Sequence, residues 1–425
     1  MWKEKTKFQQ VFKNFKRNGF FHIFGSSIIN QMVTFLSGII LIRILSKAEY
    51  GLFAYVNNIM AFILLLSGFG ITSGLLQICS ETKEEQETDK LFVHGFKTAV
   101  KINVILCLII FSIARLISFK LDGADQLLML MSMLPIGILI YELIQIYFRY
   151  NKMNRKFSYY ASFNTSIILI ASILGAIALK VEGLILFRYA GYIVSIIVGV
   201  IYFGFPIKKV LKGTKIDKFR KFDLYKISIV SMANNATGHL IYLLDVFIVG
   251  LLIPNESIIA SYKVATIIPN ALIFIPGALM VYFYPHFAEH NKDKAWVRRN
   301  FISIIKYFGI FNLILSLILL ILAPFIIRVI FGVEYLDAIL PFRILVIGYA
   351  ISATFRKIAG NLLVTQRKLR FNFWLGIFEG GINIIGNLFL INKFGSLGAA
   401  ISSLIVVSIS SIIGVNYFLK ITSES

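Results

Sequence analysis

Eleven ionisable side chains interrupt stretches of this sequence that are otherwise apolar: Lys101, Arg115, Glu142, Arg188, His239, Asp245, Lys306, Arg343, Arg356, Lys357 and Glu379. A charge in a bilayer is costly, so it is retained where it snorkels, pairs with an opposite charge or lines a pathway. Lys101, Glu142 and Lys306 fall near the expected cytoplasmic ends of their runs, and Arg115 near an outer end. All four are within reach of the headgroups. Arg188, Arg343, Arg356 and Lys357 lie deeper. They offer the guanidinium and ammonium donors that a phosphate requires in a dry cavity, and the alternative open to them is pairing with Asp245 or Glu379. Asp245 and Glu379 are candidate H⁺ or Na⁺ sites whose occupancy would bias a two-state transporter. A neighbouring base neutralising each acid is the competing reading. His239 is of a type that titrates near neutrality; among Asn234, Asn235 and Thr237 it equally suits a hydrogen bond between helices. Asn30, Gln31, Asn383 and Asn387 suit sugar hydroxyls or helix–helix hydrogen bonds, with the second favoured.

Other chemistry is poorly represented. No G-x-S-x-G, H-E-x-x-H, P-loop or dinucleotide fingerprint stands in a fitting context, and no loop is long enough to house a catalytic domain. An enzyme is not expected. Cys79 and Cys107 have no C-x-x-C spacing and no nearby histidine pair, so neither a metal site nor a disulfide framework is expected. No cofactor is implied.

The elements that position these charges are membrane helices. Of the 425 residues 58% are hydrophobic and only 15% charged, with mean hydropathy +0.80, whereas a soluble chain is about one quarter charged. A helix needs about 20 apolar residues to cross the hydrocarbon core. Twelve runs meet that need: 20–42, 53–78, 99–118, 127–148, 160–180, 183–204, 227–252, 263–284, 301–323, 338–364, 371–391 and 397–419. Ahead of them, Phe8, Val11, Phe12 and Phe15 at helical spacing among lysines predict a basic amphipathic helix in the headgroup layer. The aromatic residues Tyr147, Tyr150, Tyr159, Tyr160, Tyr282 and Tyr284 fall near the expected interfaces.

Charge gives the orientation. With the N-terminus in the cytoplasm, cytoplasmic segments hold 29 of the 43 Lys and Arg and the opposite side holds seven, as the positive-inside rule expects. The net charge of +22 is thereby explained by topology, not by nucleic acid. Both termini are expected in the cytoplasm. The basic excess peaks in 205–226, which divides the chain into a cytoplasmic segment 1–19, a six-helix half 20–204, a linker 205–226, a second half 227–419 and a tail 420–425. Internal similarity supports the division: adding 215 to Gly183, Ser195, Ile197, Gly199, Val200, Tyr202 and Phe203 lands on the same residue type each time. Two six-helix halves repeated in parallel are a transporter architecture with a cavity between them.

Arg43-Ile-Leu-Ser-Lys-Ala-Glu49-Tyr50-Gly51, which closes the first span, resembles the R-x-L-x-x-x-E-[YF]-G turn of polysaccharide-exporter membrane proteins. These are Wzx-type flippases of the multidrug/oligosaccharidyl-lipid/polysaccharide (MOP) exporter superfamily. Asp245 followed by Ser261-Tyr262-Lys263-Val264-Ala265 and Ile268-Pro269, and Phe331-Gly332-x-Glu334-Tyr335, agree in order. The resemblance implies an all-α polytopic fold of about twelve helices, two halves related by a pseudo-two-fold along the membrane normal, V-shaped around a central cavity. It implies a flippase for glycan repeat units on polyprenyl pyrophosphate in a bacterial cytoplasmic membrane, with H⁺ or Na⁺ as counter-ion and a polysaccharide polymerase among its partners. A cation-coupled drug or metabolite exporter is the alternative, and it would want an acidic or neutral cavity. Seven Lys or Arg against three acids within the spans tilt the choice towards an anionic substrate. Within the turn, Gly51 is expected to allow a tight reversal and Glu49 to pair with Arg43 or Lys47.

Overall fold

The computed structural model describes residues 20–82, 84–211 and 218–423, apart from the side chains of 20–24, 211, 218, 219, 234, 237–242 and 281. The amphipathic segment 1–19 and the middle of the basic linker lie outside the described residues. What is described is helical throughout, and no strand occurs among the described residues. The helices are α1 (Phe20–Ile44), α2 (Lys47–Leu64), α3 (Ile71–Glu81), α4 (Glu85–Leu116), α5 (Ala124–Met131), α6 (Leu134–Tyr150), α7 (Asn154–Ile201) and α8 (Ile207–Leu211). There follow α9 (Lys218–Leu252), α10 (Glu256–Leu272), α11 (Phe274–Glu289), α12 (Lys294–Ile326), α13 (Ile339–Ile351), α14 (Lys357–Thr365), α15 (Leu369–Phe394) and α16 (Ser396–Ile421).

Ten helical stretches among the described residues are long and apolar enough to cross a membrane. One of these, α7, reverses direction at Leu179–Lys180 and so supplies two spans. The apolar end of α9, Leu243–Leu252, stands where the seventh span is expected. The twelve expected runs thus each find a helix. Several spans that read as continuous are broken. The second is split by a tight turn at Ser67–Gly70, where Gly68, Phe69 and Gly70 all have positive φ. The backbone groups freed there need partners in the absence of water. The buried Asn103 supplies one, accepting from the Gly68 N–H at 2.7 Å while donating to the Pro135 carbonyl at 2.9 Å.

The chain forms two compact units. Among the described residues the first comprises 20–45 and Met60–Asn235, and the second Ser46–Ile59 with 236–423. In the first, α1 packs along α7, and Leu75, Leu91, Leu139, Leu143, Phe148 and Tyr160 form the core. In the second, Phe287, Phe301, Ile358, Leu362 and Phe418 do so.

Each unit contains a helical hairpin, and the two hairpins obey the 215-residue offset. Lys180 turns the first at φ 55°, ψ −134°, and Gly395 turns the second at φ 61°, ψ −145°. A Cβ on Gly183 would strike the Gly175 carbonyl; a Cβ on Gly398 would strike the carbonyl of Leu390, the counterpart of Gly175. The shared glycines therefore mark where two antiparallel helices touch backbone to backbone. A lysine in that turn conformation is strained where glycine is not. Lys180→Gly is expected to stabilise the protein by about 1 kcal/mol, and Gly395→Lys to cost about 1–3 kcal/mol. Thermal unfolding of the purified protein in lipid nanodiscs reads both.

Candidate functional site

The buried acid Asp245 lies near the end of α9 and is 7% exposed. Its carboxylate accepts four hydrogen bonds, two on each oxygen. Asn383 Nδ2 and Asn387 Nδ2 donate to Oδ1 at 2.9 and 2.8 Å. The Tyr262 hydroxyl donates to Oδ2 at 3.1 Å and the Ser403 hydroxyl donates to the same oxygen. Four helices, α9, α10, α15 and α16, thus meet on one carboxylate. The i, i+4 spacing of Asn383 and Asn387 on α15 puts both amides on one helix face, and Asn387 Nδ2 also donates to Asn383 Oδ1 at 3.0 Å. One acceptor is left over: the buried Asn387 Oδ1 has no hydrogen-bond partner. No ion pair among the described residues involves Asp245. Both carboxylate oxygens are thus satisfied by amide and hydroxyl donors, and the one acceptor left over in the cluster is Asn387 Oδ1.

The second acid behaves differently. Glu379 on α15 forms an ion pair with Arg356, Nε to Oε1, with a longer contact from Nη2 to Oε2 at 3.4 Å. Arg356 ends a π-helical turn, Ser352–Arg356, inserted between α13 and α14. Its guanidinium passes over Gly360, where a Cβ would lie 2.6 Å from Nη1. Of the two roles open to Arg356, pairing is the one its geometry displays. Arg343 on α13 donates Nε to the Leu320 carbonyl at 3.2 Å. Arg188, in the second arm of α7, donates Nε to the Ser172 hydroxyl at 3.0 Å in the first arm. Lys357 is half-buried at the start of α14. Arg188 belongs to the first unit and the other three cations to the second. The side chain of His239 lies outside the described residues.

The turn after the first span is organised around two interactions that residue types alone left open. Ser46 and Glu49 cap α2 reciprocally: the Glu49 N–H donates to Ser46 Oγ at 3.2 Å, and the Ser46 N–H to Glu49 Oε2 at 2.8 Å. Glu49 is therefore a helix cap, while Lys47 finds a distant acid. Lys47 Nζ bonds Asp337 Oδ1 and Oδ2 at 2.9 and 3.0 Å and the Glu334 carbonyl at 2.7 Å, and it lies 5.4 Å from the centre of the Tyr335 ring. The Ser261 hydroxyl donates to Asp337 Oδ2 at 2.7 Å. Gly51 lies inside α2 rather than at a reversal. It abuts the Glu256 carbonyl at the start of α10, where a side chain has no room. Tyr50 is buried and Arg43 exposed at the end of α1. Three stretches that are distant in sequence, around 46–51, 256–262 and 331–337, thus form one knot in the second unit.

Membrane-length helices in two units, with a buried carboxylate on one helix ringed by donors from three others, define a polytopic helical membrane protein. Comparison with solved structures gives the same fold. The fold is similar to that of an inward-facing multidrug resistance MATE family transporter of the MOP superfamily (TM-score 0.75, 13% identity, covering 93% of this chain and 94% of the other). It is also similar to the lipid II flippase MurJ in an inward closed conformation (TM-score 0.70, 18% identity, covering 93% and 87%). Residues 40–340 match the polysaccharide biosynthesis protein family, and the chain belongs to that family. It is 22% identical over 394 residues to the lipopolysaccharide biosynthesis protein WzxC of Escherichia coli strain K12, covering 90% of this chain and 76% of the relative.

Residue-type reasoning found Asp245 and Glu379 but not Tyr262 or Ser403 as partners of Asp245, and it favoured a gluing role for Asn383 and Asn387. The i, i+4 pair of asparagines in an apolar helix was the available signal. Tyr262 and Ser403 carry none, because hydroxyls are common in membrane helices.

Proposed function

We propose that this chain is a flippase that carries polyprenyl-pyrophosphate-linked oligosaccharide repeat units from the cytoplasmic to the outer leaflet of a bacterial cytoplasmic membrane, with both termini in the cytoplasm. The product would feed O-antigen- or capsule-type polymer assembly, with a polysaccharide polymerase as the partner downstream. Alternating access is driven by H⁺ or Na⁺ at Asp245, whose unsatisfied neighbour Asn387 Oδ1 offers a further ligand. The sugar-pyrophosphate head is neutralised on its passage by cationic side chains, for which Arg188, Arg343, Arg356 and Lys357 are the candidates, while the polyprenyl tail stays in lipid. The observation that carries this reading is the excess of basic over acidic side chains within the spans, seven to three, in a member of the polysaccharide biosynthesis family.

The second reading, a cation-coupled multidrug or metabolite exporter, is favoured by the likeness of the fold to a MATE family transporter. Neutralising Arg188, Arg343, Arg356 and Lys357 one at a time separates the two. Under the flippase reading, surface polysaccharide falls in at least one of the Arg188, Arg343 and Lys357 variants while drug tolerance is unchanged; the Arg356 variant also strands Glu379 and is read beside its unfolding temperature. Full export in all four with reduced drug tolerance would establish the exporter instead.

A further inference from the structure

Lys90, His94, Lys97 and Lys101 recur at intervals of four, three and four residues along α4. At 3.6 residues per turn they fall within about 60° of one another around the helix. The stripe begins at the cytoplasmic end of α4 under the proposed orientation. From His94 to Lys101 it climbs seven residues, or about 10 Å. The middle of the stripe is anchored to α9: His94 Nε2 is hydrogen-bonded to the Tyr225 hydroxyl at 2.9 Å. Burial first, and then the nearby cations Lys221 of α9 and Lys101 of α4, hold the His94 imidazole below the usual histidine range. Glu87, one turn before Lys90, and Asp89 beside it are taken by Arg220 and Lys209, at 2.7 and 2.9 Å. Neither Lys101 nor Lys221 is in an ion pair among the described residues.

Above Lys101 the same side of α4 changes character. Val104, Ile105, Leu108 and Ile109 are 43%, 58%, 56% and 47% exposed. Ile105, Leu108 and Ile109, with Leu116 further along, line a shallow apolar groove of about 340 Å³. An exposed aliphatic surface is ordinary on a helix facing lipid. Here a ladder of cations leads up to it, with Lys101 at the third residue of the 99–118 run, at the depth where a lipid's phosphates lie. The combination has the shape of an amphiphile: several positive charges at the cytoplasmic end, then a strip of hydrocarbon parallel to the acyl chains.

We infer that His94, Lys97 and Lys101 of α4, with Lys221 of α9, form an entry site for a lipid diphosphate from the cytoplasmic leaflet, its tail lying along the Val104–Leu116 strip. The inference rests on the flippase reading and deepens it, since it places a docking step in the first unit, apart from Arg343, Arg356 and Lys357. Charge complementarity selects the occupant. A diphosphate carries more negative charge than a phosphodiester headgroup, and it can meet Lys101 and Lys221 together where a single-charged lipid satisfies only one.

The test uses the full-length protein in phosphatidylcholine nanodiscs with undecaprenyl diphosphate as the probe. The double substitution Lys101→Gln with Lys221→Gln is expected to weaken binding by at least about tenfold. Lys208→Gln, on the exposed face of α8, should stay within about twofold, and Lys101→Arg should retain binding. An unchanged unfolding temperature in the double variant shows that the loss is not one of fold. Unchanged binding by the double variant overturns the entry site and leaves the flippase reading standing. Phosphatidylglycerol competing as well as undecaprenyl diphosphate, or inorganic diphosphate binding equally tightly, overturns it too: the first makes the strip a general anionic-lipid surface, the second removes the need for the tail. If the wild type binds no undecaprenyl diphosphate, the functional reading falls first and the entry site with it.

Discussion

Asp245→Asn is expected to leave a folded protein that transports on the order of 10 to 100 times more slowly, the range of a coupling free energy of about 1–3 kcal/mol. The physical reason lies in the donors around the carboxylate. Four donors converge on two oxygens, and an amide offers one oxygen and one NH₂ in the same space. The hydroxyls of Tyr262 and Ser403 can turn and accept from the new NH₂, so the fold survives. The negative charge does not, and with it goes the attraction for a cation. The direct measurement is thermal unfolding against Na⁺ concentration and against pH. A ligand bound only by the folded state at about 100 times its Kd stabilises that state by about 2.7 kcal/mol, and the wild type should gain on that order while Asp245→Asn gains nothing. Full transport by Asp245→Asn with an unchanged cation response would show Asp245 to be structural. Asn387→Leu is a milder companion, since it removes the unpaired oxygen and one donor while leaving the carboxylate.

The second large effect concerns Arg356 and Glu379. Their side chains are only 17% and 7% exposed, so removing either charge strands the other in a low-dielectric setting. Glu379→Leu and Arg356→Met should each destabilise by about 3–5 kcal/mol, whereas the double substitution should fall within about 1 kcal/mol of the wild type or above it. That pattern follows from desolvation: two buried ions regain in mutual attraction little more than they lose on leaving water. The double variant also separates the two roles that the sequence leaves open to Arg356. If the arginine serves only the pair, a stable double variant exports normally. If the guanidinium also holds substrate phosphate in another state of the transport cycle, the double variant folds and fails to export. Unfolding and export measured on the same three variants decide between them.

Both predictions depend on which helix faces which and at what depth, and residue types alone do not carry that information. The twelve runs, their lengths and the 215-residue repeat follow from the demand that every span be apolar and about 20 residues long. They carried over into the structure, down to the matched contacts of Gly183 and Gly398. The turn at Ser46–Glu49 was legible in principle, because a serine followed three residues later by a glutamate is a capping pattern. It was obscured by the nearby cations Arg43 and Lys47, which offered Glu49 nearer partners by sequence. Gly51 was misjudged for a related reason. A glycine can be present for its φ or for its missing Cβ, and only the position of the Glu256 carbonyl shows that the second applies.

The sequence by itself determined that this chain is a helical membrane protein with an internal repeat, basic residues concentrated in alternate loops and charges buried at cost, because hydropathy, period and charge bias act locally. Tertiary structure alone decided that Glu379 belongs to Arg356, that Lys47 belongs to Asp337, and that Asp245 is held by Tyr262, Asn383, Asn387 and Ser403. A side chain's partner depends on which helix faces which, at what depth and rotation. In a membrane, where exposed aliphatic and buried aliphatic positions look alike in sequence, the apolar pattern does not encode that choice.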